Sequence, residues 1–160
     1  MLEINIYTDG SSRGNPGPGG YGAILKYGKH TKELSAGYKL TTNNRMELMA
    51  VIAALEALKQ DGLTIHIYSD SQYVCDAVEK KWLNKWIING FKKIKNPDLW
   101  KRYYELSKKH TIKFHWIRGH NGHPENERCD QLATNAAENN AVLNDVGFEK
   151  SLDDNTQHLL

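Results

Sequence analysis

Cysteine is nearly missing from this chain: 160 residues contain only Cys75 and Cys129, with no CxxC spacing. That excludes a disulfide-stapled scaffold and a thiolate metal knuckle, and it suits a reducing, cytoplasmic compartment. Long apolar runs are also missing. The longest mostly apolar stretch, Met46 to Leu58, carries Glu47 and Glu56 and falls short of the ~20 residues that span a bilayer. Neither a targeting segment nor an internal repeat of 20 to 50 residues is evident, and no Walker A sequence occurs. The expected protein is a single soluble domain without membrane association, large enough to bury roughly two thirds of its unfolded surface without staples.

Net charge is low, only +2, but its distribution is uneven. Residues 80 to 113 hold eleven Lys and Arg against Asp98 and Glu105, a local excess of +9. The last twenty residues carry −3 and the remainder of the chain −4. A basic block set against an acidic body suits an anionic polymer held beside a cation-binding site. A lysine-rich solvated helix pair accounts for the same charge count equally well.

Hydrophobic periodicity reads as α/β. Strands are expected at residues 3–8, 21–27, 31–40, 63–69 and 112–117, and helices at 43–59, 71–79, 81–88, 97–109 and 125–139. Residues 10–20 are expected as a Gly/Pro loop, and 141–160 as a flexible or loosely docked tail after a domain spanning 1–140. Gly17-Pro18-Gly19-Gly20-Tyr21-Gly22 matches GxGxxG, yet Ala23 to Tyr27 continues as strand. No helix N-terminus follows to receive a pyrophosphate, so a dinucleotide site is excluded.

A near duplication is the most informative local feature. Ile6-Tyr7-Thr8-Asp9 ends the first strand and Ile67-Tyr68-Ser69-Asp70 ends the fourth. If a right-handed crossover makes these strands parallel neighbours, their ~4.8 Å spacing brings the two carboxylates together, where like charges repel unless a cation compensates. Each Asp can also be read as a cap of the following turn or helix. Glu47 likewise has two readings. Asn44-x-x-Glu47 approximates a capping box, but Ala50, Val51 and Ala54 put Glu47 on the buried side of its helix, where an unpaired carboxylate is costly. Asp130, early in the last helix, reads alone as ordinary first-turn charge. Hard oxygen ligands without a Cys/His cluster suit Mg²⁺ or Mn²⁺, and paired ions of that kind serve in-line attack on phosphate esters. His120-x-x-His123 lacks helical i, i+4 spacing and lies on a Gly/Pro loop, where His120 is either a solvated side chain or a proton carrier.

Four segments together, TDGSxxGNPGPGGYG, TTNNRMELMA, YSDSQYV and GHNGHPENERCDQLA, resemble bacterial type 1 ribonuclease H over residues 3 to about 140 and in the family's order. The resemblance implies a ribonuclease H-like fold, a five-stranded mixed sheet in order 3-2-1-4-5 flanked by helices. It also implies a monomeric endonuclease cutting the RNA strand of RNA/DNA hybrids with two Mg²⁺ per site, Mn²⁺ substituting. Asp9, Glu47, Asp70 and Asp130 then become metal ligands, with Asp9 bridging the ions, and His120 an auxiliary catalyst. Ser12 stands where some relatives carry Cys. Asn15, Asn43, Asn44 and Gln72 match positions approaching the minor groove, where a 2′-hydroxyl marks RNA. Lys80, Lys81, Trp82, Lys85, Trp86, Lys92, Lys93 and Lys95 form the family's substrate-binding handle. Trp82 and Trp86 are open to two readings, stacking on sugar or base faces and packing into the core. Two other functions fit the same fold: a non-catalytic duplex-binding module, which four retained carboxylates disfavour, and an integrase or junction resolvase, which the handle and the NNRME helix disfavour.

Overall fold

The computed structural model describes residues 3–119 and 121–158. Strands β1 (Glu3–Ser12), β2 (Gly17–Tyr27) and β3 (His30–Thr41) form an antiparallel meander. Helix α1 (Asn43–Glu56) then crosses over to β4 (Thr64–Ser69), which lies parallel to β1. Helices α2 (Gln72–Glu79), α3 (Trp82–Ile88) and α4 (Pro97–Ser107) lead to β5 (Thr111–Trp116), parallel to β4. Helix α5 (Pro124–Asn139), strand β6 (Ala141–Leu143) and helix α6 (Val146–His158) complete the described chain. The sheet runs β5-β4-β1-β2-β3-β6, the expected 3-2-1-4-5 mixed order with one short strand added beside β3.

Helix α1 forms because Thr42 caps it, its hydroxyl accepting from the Arg45 backbone N–H, and because no proline or glycine interrupts it. Nearly all of its side chains from Arg45 to Leu55 are buried. Met46, Leu48, Ile52 and Leu55 pack with Ile6, Ile65 and Ile67 of the sheet and with Trp100 and Tyr103 of α4. Against β2, α5 lies so close that a Cβ on Gly22 would collide with the Cys129 carbonyl oxygen. Gly22 pairs with Asp9 in the β1–β2 ladder, whereas the adjacent Gly10 meets α1. Neighbouring strand residues alternate faces, so α1 and α5 cover opposite faces of the sheet.

Two sequence expectations need correction. The loop expected over 10–20 shrinks to residues 13–16, because β1 continues to Ser12 and β2 begins at Gly17. Glycines without side chains show no alternation to read, yet Ser11 and Gly20 pair across the ladder. Helix α1 stops at Glu56, three residues short of its expected end. The stretch 141–160, expected as a flexible or loosely docked tail, carries β6 and α6 within the described residues. It is anchored by Asp145, which accepts from Thr41 Oγ1 at 2.7 Å and from Arg45 Nε and Nη2 at 2.8 Å each. A long-range ion pair of this kind leaves no periodic trace.

Candidate active site

The parallel register places Tyr7 beside Tyr68, so Asp9, within β1, and Asp70, just past the end of β4, each two residues farther on, lie at the same level. Glu47 joins them from the first turns of α1, and carboxylate oxygens of the three lie within 4.8 Å of one another. The approach depends on Gly10, where a Cβ would strike the Glu47 backbone nitrogen. The Gly10 N–H donates to Asp9 Oδ1 at 2.9 Å and also to Glu47 Oε1.

Neither capping reading holds. Thr42 rather than Asn44 caps α1, and Ser71 rather than Asp70 caps α2, its hydroxyl accepting from the Val74 N–H at 3.2 Å. The Asp70 and Glu47 carboxylates are thereby left for the cleft. Asp130, on α5, lines that same cleft of about 450 Å³ without joining the group of three. His120 lies outside the described residues, while its neighbour Gly119 sits so near Asp70 that a Cβ would lie 2.6 Å from Oδ2.

Burial of Asp9, first, and the nearby Asp70 charge push the Asp9 carboxyl up to about 7, against the lowering effect of its hydrogen bond with Glu47. Glu47, buried and facing Asp9, is also raised well above the usual carboxylate range. Desolvated like charges in contact favour a shared proton or a bound cation. The donors are carboxylate oxygens with no thiol or imidazole among the described members of the cluster, a set that fits a hard divalent cation.

Asn43, Asn44 and Gln72 border the cleft together with Ser11, Ser71 and Tyr73, which the motifs did not single out. The Asn15 side-chain oxygen accepts from the Asn43 N–H at 3.0 Å, tying the β1–β2 loop to the start of α1. A second cavity of about 520 Å³ adjoins Asn15 and Asn44 and is walled by Lys95, Asn96, Phe148 and Leu152. In the basic block, Lys81, Lys85, Lys92, Lys93 and Lys95 are exposed, and Lys80 sits 5.5 Å above the Trp82 ring while pairing with Asp76 at 3.4 Å. The two tryptophans divide. Trp82 is 40% exposed, whereas Trp86 packs edge-on to the buried Trp100 at 5.3 Å. Between Lys81 and Asn96 four non-glycine residues adopt positive φ, Lys81, Phe91, Lys93 and Asn96, as does Gly90, so short helices alternate with tight turns.

Arg45 is a residue whose importance the motifs did not indicate. Its buried guanidinium bonds Asp98 of α4 and Asp145 before α6, so one side chain ties the helix bearing Glu47 to α4 and to the C-terminal segment. A charged residue immediately before the apolar run of α1 was the available signal.

Similarity to known proteins coincides with these features. The RNase H family model matches residues 2–138. A ribonuclease H of Desulforamulus reducens is 56% identical over 142 residues, which cover 86% of this chain and 89% of that protein. The solved structure of LC9-RNase H1, a type 1 RNase H with the type 2 active-site motif, superposes with a TM-score of 0.79 at 31% identity, covering 86% of this chain and 72% of that one. LC11-RNase H1, solved in complex with an RNA/DNA hybrid, superposes with a TM-score of 0.59 at 28% identity over 84% of this chain and 96% of that one.

Proposed function

The chain belongs to the ribonuclease H family, and on that premise we propose that it is an endonuclease hydrolysing the RNA strand of RNA/DNA hybrids with two Mg²⁺ ions. It leaves 3′-hydroxyl and 5′-phosphate ends, and Mn²⁺ substitutes for Mg²⁺. The observation that carries this reading is the cluster of Asp9, Glu47 and Asp70 within 4.8 Å, two of them buried, at one end of the parallel strand pair. Asp130 across the cleft gives a fourth carboxylate. Divalent cations held there supply an activated water nucleophile and offset charge on the scissile phosphate.

The protein's own groups divide the remaining work. Gly10 N–H fixes Asp9 and Glu47 in orientation, which keeps two repelling carboxylates aimed at one point. Asn15, Asn43, Asn44 and Gln72 lie on or next to the cleft rim and read the minor groove and its 2′-hydroxyls. The exposed lysines of the handle neutralise phosphates away from the reacting bond, with Trp82 available to stack. His120, whose neighbour Gly119 abuts Asp70, moves a proton near the leaving oxygen. All four carboxylates come from one chain, which supports a monomeric enzyme. Two free, buried thiols suit the cytoplasm. Among the described residues no helix is long and apolar enough to cross a membrane.

The deciding experiment offers labelled RNA/DNA, RNA/RNA and DNA/DNA duplexes with Mg²⁺, Mn²⁺ or chelator. Cleavage of the RNA strand of the hybrid alone, abolished by chelator, is expected. Tight hybrid binding with no cleavage would mean a binding module instead.

A further inference from the structure

The three clustered carboxylates are held in different ways. Gly10 N–H donates to both Asp9 and Glu47, whereas among the described residues no donor reaches the Asp70 carboxylate, so Asp70 is placed through its backbone. That backbone lies past the ladder. Pairing of β4 with β1 ends at Tyr68 and pairing with β5 ends at Ser69. The end of β5 supplies the missing hold. Ile117 N–H donates to the Ser69 carbonyl at 2.9 Å, and the Trp116 indole Nε1–H donates to the next carbonyl, that of Asp70, at 3.1 Å. Trp116 is itself fixed by pairing with Ser69, so its ring reaches one residue past the last ladder pair.

Resting on the carboxylate reading above, we infer that Trp116 is a positioning residue for the active site: its indole N–H sets the backbone of Asp70 and, through it, the carboxylate that faces the metal. The peptide unit between Asp70 and Ser71 is held at both ends. Its oxygen takes the indole N–H, and its nitrogen, on Ser71, donates to Ser69 Oγ at 3.0 Å. Without the indole donor one end is free, and the peptide can turn and swing the Asp70 side chain away from Asp9 and Glu47.

Core packing does not account for an indole here. Phe114, two residues earlier and so on the same face of β5, is buried in the core, but Trp116 is 50% exposed. A Phe would cover the same surface without offering a donor. The chain after Trp116 stays on Asp70 as well: a Cβ on Gly119 would lie 2.6 Å from Asp70 Oδ2. Residues 116 to 119 thus bond the carbonyl of Asp70 and abut its carboxylate, and the loop bearing His120 starts from that hold.

Two replacements of Trp116 test the inference: Trp116→Phe, and benzothienylalanine at the same position, an isostere with sulfur in place of the indole N–H. In both, kcat on an RNA/DNA hybrid should fall roughly 10-fold or more, because a small misplacement of a reacting group is costly, while KM stays within about twofold. Mg²⁺ affinity, measured by calorimetry without substrate, should fall about 3- to 10-fold, as for the loss of one hydrogen bond. An isostere with the kcat and Mg²⁺ affinity of the unaltered protein would overturn the inference. So would a lowered Tm with both quantities unchanged, the mark of a bond that only secures the end of β5. An unaltered protein that binds Mg²⁺ but leaves the hybrid intact would retract the nuclease reading instead, and Mg²⁺ affinity would still decide the role of Trp116.

Discussion

Replacing Asp9 with Asn should stabilise the metal-free protein above pH 7 while removing its activity. In the folded chain the Asp9 carboxyl is raised from 3.8 to about 7, chiefly by burial and also by Asp70. A carboxyl whose folded pKa exceeds its unfolded value contributes stability that is fully present below about pH 4 and is lost as pH rises through about 7. At about 1.4 kcal/mol per unit the shift corresponds to a ceiling of ~4 kcal/mol. Glu47 holds a hydrogen bond with Asp9, so the pair shares the cost and a gain of about 1 to 2 kcal/mol in Asp9→Asn is the working figure. For a domain of this size that raises Tm by roughly 2 to 6 °C. The assay is thermal unfolding of both proteins from pH 5 to 9, in chelator and again in saturating Mg²⁺. The unaltered protein should lose stability across pH 5 to 8 in chelator, and Mg²⁺ should restore it. Asp9→Asn should show a flatter profile and little response to Mg²⁺. An Asp9→Asn protein that is less stable than the original in chelator at pH 8 would refute the repulsion argument.

Changing Lys85, Lys92, Lys93 and Lys95 together to Ala should raise KM with kcat nearly unchanged; losing even two real phosphate contacts flattens the plot of log K against log salt by about 1.4 to 1.8. An unaltered slope would make the basic block a solvated face. His120→Ala should lower kcat about 100-fold, the low end for acid–base help at an open site, with Mg²⁺ affinity measured by titration unchanged; loss of Mg²⁺ binding would make His120 a ligand. Gly10→Ala should depress both activity and Tm, since its methyl group meets the Glu47 backbone; a fully active variant would show that α1 can shift without harm. Asp145→Ala leaves the buried Arg45 with Asp98 as its remaining carboxylate partner and should cost about 3 kcal/mol in denaturant unfolding, the low end for breaking a buried pair.

The sheet order was implied by the family resemblance alone, whereas the matched aspartates were legible because a repeated strand ending is a local signal that survives in sequence. Glu47 was legible because a carboxylate on the apolar side of a helix demands a partner. Less could be read where tertiary contact decides. The glycines of β2 carry no alternation, so their pairing with β1 was hidden. Asp145 looks like one acid among several in a tail until Arg45 and Thr41 are brought to it. Trp82 and Trp86 share one spacing and one local chemistry, and only the position of Trp100 separates the exposed ring from the packed one.

Carboxylates that direct water at a phosphodiester are the core of the proposed chemistry, and the product ends test it most directly. An RNA/DNA hybrid cleaved in Mg²⁺ should give RNA fragments that end in 3′-hydroxyl and 5′-phosphate, with no product from Asp9→Asn at equal protein concentration. Fragments ending in 2′,3′-cyclic phosphate, or cleavage that persists in chelator, would contradict it.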